Sequence, residues 1–235
     1  MAYDKVVDST VLNAGLTQIA GAIRAKTGTG GTLTFPSGFV SAIEGLSGGG
    51  ATEPYIEETY DANGQLIDAV MHGYTQIRSN AFAYCGGLVS VSGISAITSI
   101  GYSAFQNCNN LALTSLPAGL TSIANYTFQN CSNLALTSLP AGITSISSSA
   151  FRDCSNLALT SLPAGITSIG NYTFQNCTGL TTITFEGTPQ SINSSAFSGC
   201  TNLTTINVPW AEGAVENAPW GATNATINYN YTPEG

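Results

Sequence analysis

From Tyr74 to Val208 the apolar positions return with one period, 23 residues, and polar positions fill a constant pattern between them. Isoleucine stands at Ile77, Ile100, Ile123, Ile146, Ile169 and Ile192. Phenylalanine follows in phase at Phe82, Phe105, Phe128, Phe151, Phe174 and Phe197, and cysteine at Cys85, Cys108, Cys131, Cys154, Cys177 and Cys200. A leucine three residues beyond each cysteine, from Leu88 to Leu203, completes the set. A fixed period of this size means identical supersecondary units, each too small to bury its apolar face alone. In one unit the apolar residues are Leu120, Ile123, Phe128, Cys131, Leu134, Leu136 and Leu139, a spacing that suits short strands and tight turns. Pro117, Pro140 and Pro163, each followed by Ala-Gly, mark a corner in the coil. The pattern predicts a mainly β solenoid of about six coils stacked at strand spacing, about 4.8 Å per coil.

The flanks read differently. Residues 1–46 predict a small helical module, with Leu12, Leu16, Ile19 and Ile23 on one face of a helix that closes at Lys26 and Gly28. It is too small to fold alone and is expected to dock on a partner. Residues 47–54 read as a glycine-rich linker. Residues 55–73 predict a hairpin, two strand-like runs around Asp61-Ala-Asn63-Gly64, that caps the first coil. At the other end the pattern degrades: Pro189, Phe185 and Thr182 replace the usual aliphatic residues. Residues 209–235, with Trp210, Trp220 and the alternating Ile227-Asn-Tyr229-Asn-Tyr231, are expected to close the last coil.

Charge narrows the function. Of 235 residues only 8% are charged, the net charge is −8, and Arg152 and Asp153 are the only charges between 93 and 185. With five basic residues and no basic run, a nucleic-acid partner is excluded and an anionic membrane surface disfavoured. No stretch has the length of an apolar membrane span, so no membrane insertion is expected. The first residues lack a basic start followed by an apolar block, which points to synthesis in a reducing cytosol. Each cysteine shares its phase with apolar neighbours, so the six are expected to be a reduced column inside the core with Phe105, Phe128, Phe151 and Phe174. No clustered Cys/His spacing suggests a metal, and no nucleotide fingerprint suggests a cofactor. His72 has no sequence partner that would make it a base. Glu57, Glu58, Asp61 and Asp68 read as a solvated acidic face on the cap rather than a carboxylate pair for glycoside cleavage. No enzyme is expected.

What remains is surface. Threonine and serine ladders run outward at Thr98, Thr121, Thr144 and Thr167 and at Ser99, Ser122, Ser145 and Ser168, and they either keep the coil wet or bind glycans. Tyr102, Tyr126 and Tyr172 precede the phenylalanines in a variable loop, where rings could stack on sugars. Tyr102, Tyr126, Tyr172, Thr121, Thr144 and Thr167 are therefore the candidate ligand residues. An ice-binding surface is the alternative that a regular threonine ladder raises.

The unit I-x-x-x-x-F-x-x-C-x-x-L with its L-P corner resembles the BspA-like leucine-rich repeats of bacterial surface proteins and phages. One departure leaves the register of one strand open: the second apolar residue after Cys-x-x-Leu comes a place early at Leu113, Leu136 and Leu159, whereas Ile183 and Ile206 keep the usual place. The amino-terminal run Leu16-Thr-Gln-Ile-Ala-Gly-Ala-Ile-Arg24-Ala-Lys26-Thr-Gly28 with Leu33-Thr-Phe-Pro36 looks like the first module of structural proteins from phages and prophages of gut Firmicutes. The ending Val208-Pro-Trp-Ala-Glu-Gly and Ala218-Pro-Trp-Gly is similar to the one such repeat proteins carry. The resemblance implies a virion surface protein, a fibre, spike or appendage, made in the host cytoplasm and attached to other virion proteins through Leu12, Leu16, Ile19 and Ile23. It implies a homo-oligomer, because virion appendages are symmetric, and adhesion of the solenoid to a glycan or protein of the host surface. A capsid decoration or head fibre of purely structural role is the alternative within this resemblance, and a bacterial surface adhesin the alternative outside it.

Overall fold

The computed structural model describes residues 54–232. The helical module expected over 1–46, its residues Leu12, Leu16, Ile19 and Ile23, and nearly all of the linker lie outside the described residues.

The chain opens on the expected hairpin. β1 (Tyr55–Tyr60) pairs antiparallel with β2 (Leu66–His72). In the turn between them Asp61 Oδ1 accepts hydrogen bonds from the N–H groups of Asn63 and Gln65, each 2.8 Å, and Gly64 takes φ +77°. From β2 onward every pairing is parallel and joins one coil to the next. β2 receives β4 (Ser90–Ser92), so the hairpin is continuous with the stack it caps.

Each coil has three sides. The first is a two-residue Ser-Ile strand, or Gln-Ile in the first coil: β3 (Gln76–Ile77), β5 (Ser99–Ile100), β6 (Ser122–Ile123), β7 (Ser145–Ile146), β9 (Ser168–Ile169) and β11 (Ser191–Ile192). Partners stand 23 residues apart, Ser145 against Ser168 and Ile146 against Ile169, which places isoleucine on isoleucine inside and serine on serine outside. The second side is the F-x-x-C loop. It is a run of turns, not a helix: in five of the six loops two residues take left-handed backbone, as Ser103 at φ 52° and Asn107 at φ 60° do, and in the last Gly199 does. Its backbone bonds run between coils, as from Phe128 N–H to Ala150 O at 2.8 Å and Asn130 N–H to Arg152 O at 2.8 Å.

The third side carries the register question raised by Leu113, Leu136 and Leu159. Strands form there at β4, β8 (Ser161–Leu162), β10 (Thr182–Phe185), β12 (Thr205–Asn207) and β13 (Thr226–Asn228), and none between β4 and β8. The early leucine turns inward, Leu136 and Leu159 being buried and Leu113 partly so. Backbone bonds there shift with it: Ala112 N–H reaches Val89 O, whereas Ala135 N–H reaches Leu113 O, one residue less far back. The core therefore tolerates the displaced side chain, and the strand ladder on this side breaks to accommodate it. The proline corners form as expected, with Leu120, Ile143 and Ile166 donating N–H to the carbonyls of Pro117, Pro140 and Pro163.

Inside, Phe82, Phe105, Phe128, Phe151, Phe174 and Phe197 stack nearly parallel, with ring centroids 5.1–5.6 Å apart. The cysteines run beside them, all as free thiols. Residues 209–232 form a further, degenerate turn. Val215 stands 23 residues after Ile192 and Trp220 23 after Phe197, and both are buried. The Trp220 ring does not continue the phenylalanine stack but packs against Phe185 and Trp210 at 6.0 and 6.3 Å, plugging the open end, while its Nε1–H donates to Glu216 O at 2.7 Å.

Candidate functional site

The chemistry-bearing groups of the cap are engaged with one another. His72 stacks on Tyr55 at 4.4 Å and its Nε2 lies 3.6 Å from Glu57 Oε1. Asp61 holds the hairpin turn, Asp68 accepts a hydrogen bond from Ser90 Oγ, and Glu58 accepts one from Tyr60 OH. The acids are thus distributed along a hairpin instead of facing each other across a cleft. Among the described residues no group of three or more His, Cys, Asp and Glu side chains is placed to hold a metal.

The thiols are structural. Five of the six donate Sγ–H to the phenylalanine carbonyl of the preceding coil, Cys131 to Phe105 O and Cys154 to Phe128 O at 3.0 Å each. Burial pushes these thiols up: Cys108 and Cys200 to about 12, and Cys131, Cys154 and Cys177 well above the ordinary value. Cys85 departs from the expected buried column. It opens the array with no complete coil in front of it, so it is only partly buried, and its pKa rises through partial burial and the nearby Glu58 carboxylate.

The threonine ladder is occupied in part by the backbone. Thr144 Oγ1 donates to Thr121 O at 3.1 Å, Thr167 Oγ1 to Thr144 O at 3.0 Å, and Thr98 Oγ1 to Thr75 O at 3.2 Å. These bonds tie one coil to the next and give the ladder a structural role whatever else it contacts.

The tyrosines sit on the loop side. Tyr102 is 48% exposed and meets Tyr126 edge to face at 5.5 Å; Tyr172, also exposed, lies two coils beyond Tyr126. Tyr126 and Tyr172 take φ 58° and 54°, in a column where the neighbouring coils place Ser103 and Ser149 at φ 52° and 54°. A bulky side chain in the left-handed region is unfavourable by about 1–2 kcal/mol. Tyr84, 73% exposed at φ 64°, repeats the anomaly in a column otherwise filled by Asn107, Asn130, Asp153, Asn176 and Gly199.

That asparagine column, with the glutamines beside it, is an ordered polar surface outside the residues expected from the sequence. Asn130 Nδ2 donates to Asn107 Oδ1 and Gln106 Nε2 to Gln129 Oε1, both at 2.6 Å, and Asn176 Nδ2 donates to Asp153 Oδ1 at 2.7 Å. The lone charges join it: Arg152 Nε lies 3.2 Å from Asp153 Oδ2. The signal was the Gln-Asn pair recurring before the cysteine at 106–107, 129–130 and 175–176.

Between the loops and the Ser-Ile strands runs a shallow groove of about 440 Å³. Asn125, Ser148, Ser168, Gly170, Ser191 and Asn193 line it, over a floor of Ile146, Ile169 and Ile192. Gly170 lets two coils approach closely there, since a Cβ would stand 2.6 Å from Ser148 N. Asn125 Oδ1 accepts from that same Ser148 N–H at 3.0 Å.

Six copies of the BspA type leucine-rich repeat region match the chain, over residues 75–204 and 154–217. No curated protein is significantly similar in sequence. Among solved structures, a leucine-rich repeat protein of T. pallidum is 24% identical with a TM-score of 0.51, over 66% of this chain and 82% of that one. A leucine-rich repeat protein from Bacteroides ovatus is 23% identical with a TM-score of 0.50, over 68% of this chain and 47% of its own, so the chain spans about half the length of that protein. At these identities the likeness is one of fold.

Proposed function

The chain belongs to the BspA-type leucine-rich repeat family, and from that premise we propose that it is a non-enzymatic adhesion scaffold on the surface of a phage particle, with its solenoid turned toward the host cell. The observation that carries the adhesion reading is the solenoid's outer surface: neutral, rich in hydroxyl and amide groups, and set with exposed tyrosines that the fold itself does not require. Stacked coils of this kind present many equivalent contacts, which suits avidity for a repetitive surface polymer. The end motifs around Leu16–Gly28 and Ala218–Tyr231 support placement on a virion. In this reading Leu12, Leu16, Ile19 and Ile23 attach a homo-oligomer to other virion proteins, and the protein reaches the particle from the host cytoplasm.

Immunogold labelling of intact particles with antibody against residues 74–208 tests the placement. Label at the tail tip or fibres agrees with host recognition. Label spread over the capsid replaces it with a decoration role, and unlabelled particles refute the virion placement.

A further inference from the structure

We infer that the groove over Ile146, Ile169 and Ile192, together with Tyr126 and Tyr172, binds a neutral, linear β-1,4-linked polysaccharide lying along the solenoid axis. This rests on the adhesion reading and names the ligand class.

Three independent features converge. Tyr126 directly follows the lining residue Asn125, and Tyr172 comes two residues after the lining residue Gly170. Both hold a left-handed backbone that Ser103 and Ser149 hold in neighbouring coils without a ring, so the rings are not there for the fold. Aromatic rings carried on the loops that supply the groove's hydroxyl and amide groups suit the alternating C–H faces and hydroxyl edges of pyranose sugars. Charge then selects the sugar. Between 93 and 185 the only charges, Arg152 and Asp153, pair with each other, which leaves nothing to match a sulfate, phosphate or uronate. Geometry selects the linkage. The groove crosses successive coils, its lining running from Asn125 to Asn217, and the Ser-Ile strands beneath it are paired in parallel at about 4.8 Å per coil. An extended β-1,4-linked chain advances by close to one strand spacing per sugar with alternate sugars turned over, so each sugar meets one coil and the serines meet alternating hydroxyl edges. An α-1,4-linked chain curls away from this register.

Calorimetric titration of the full chain with cellohexaose, chitohexaose and maltohexaose tests the proposal. One of the two β-1,4 hexaoses binds, and affinity grows with oligomer length up to about four or five sugars, one per coil at strand spacing. Tyr172→Ser and Ser191→Trp each weaken binding about tenfold or more, a change of 1.4 kcal/mol or above. Tyr172→Ser keeps or raises the thermal midpoint, because serine suits that backbone. Failure of both β-1,4 hexaoses to bind at millimolar concentration overturns the inference, as does equal binding of maltohexaose or indifference to Tyr172→Ser. Adhesion to cells without hexaose binding removes the groove ligand and leaves the adhesion reading. Hexaose binding without adhesion to any cell does the reverse.

Discussion

Replacing Phe128 by alanine probes the core that makes the stack possible. The ring is fully buried between Phe105 and Phe151, with centroids 5.4 and 5.5 Å away and planes tilted by 3° and 7°. The hole cannot close by sliding the coils together, because Phe128 N–H is bound to Ala150 O at 2.8 Å and Phe105 N–H to Thr127 O at 2.9 Å. A Phe→Ala change that leaves its cavity open lowers stability by about 3–5 kcal/mol. Two aromatic pairs are lost, each contributing about 0.5–1.5 kcal/mol beyond area burial. Phe82 supplies the internal comparison: it is buried but stacks on Phe105 alone, at 5.3 Å. Phe82→Ala should therefore be milder by about the value of one pair, roughly 0.5–1.5 kcal/mol. Urea unfolding followed by circular dichroism measures both. A loss below about 1 kcal/mol for Phe128→Ala, or a larger loss at Phe82, would refute the continuous stack.

The thiols predict a pH dependence. Their pKa values are raised in the folded chain, so the stability they contribute is complete below about pH 9 and is lost as pH rises toward about 12, where Cys108 and Cys200 ionise in place. Each thiol ionised only in the unfolded chain lowers stability by about 1.4 kcal/mol per pH unit, so Cys154→Ala should flatten the alkaline fall in the urea midpoint. On native protein a thiol reagent at pH 8 should modify Cys85 first and the five buried cysteines only on unfolding; rapid reaction at Cys131 contradicts the burial. Thr144→Val removes one inter-coil hydrogen bond at the surface and should lower stability by about 0.5–1.5 kcal/mol, with cell binding unchanged. Trp220→Ala should lower it by about 3–5 kcal/mol in the same assay, because the plug beneath Phe185 and Trp210 is lost.

The core was legible because its chemistry is periodic: a phenylalanine, a cysteine and an isoleucine recurring in one phase leave only one way to stack. The hairpin cap was legible from Asn63-Gly64. The terminal turn was hidden, because Val215 and Trp220 keep the period but change the residue types. The broken strand side was visible only as a displaced leucine, since whether Leu136 or its neighbour turns inward depends on how far the strand ladder yields. Of the candidate site, the tyrosines could be named from the sequence, but their left-handed backbone could not, because φ at 126 and 172 belongs to the turn geometry of the loop rather than to the residue type. The threonines looked equally available and prove partly bound to carbonyls. The amide ladder at Asn107, Asn130 and Asn176 was overlooked because Gln-Asn pairs resemble ordinary turn composition.

Adhesion by the neutral solenoid surface is tested most directly by saturation binding of the labelled chain to intact bacterial cells stripped of surface protein by protease. Saturable binding that falls with Tyr126→Ser and Tyr172→Ser but persists with Thr144→Val is the result expected. Absence of saturable binding across a panel of such cells, or equal loss with all three variants, would contradict it.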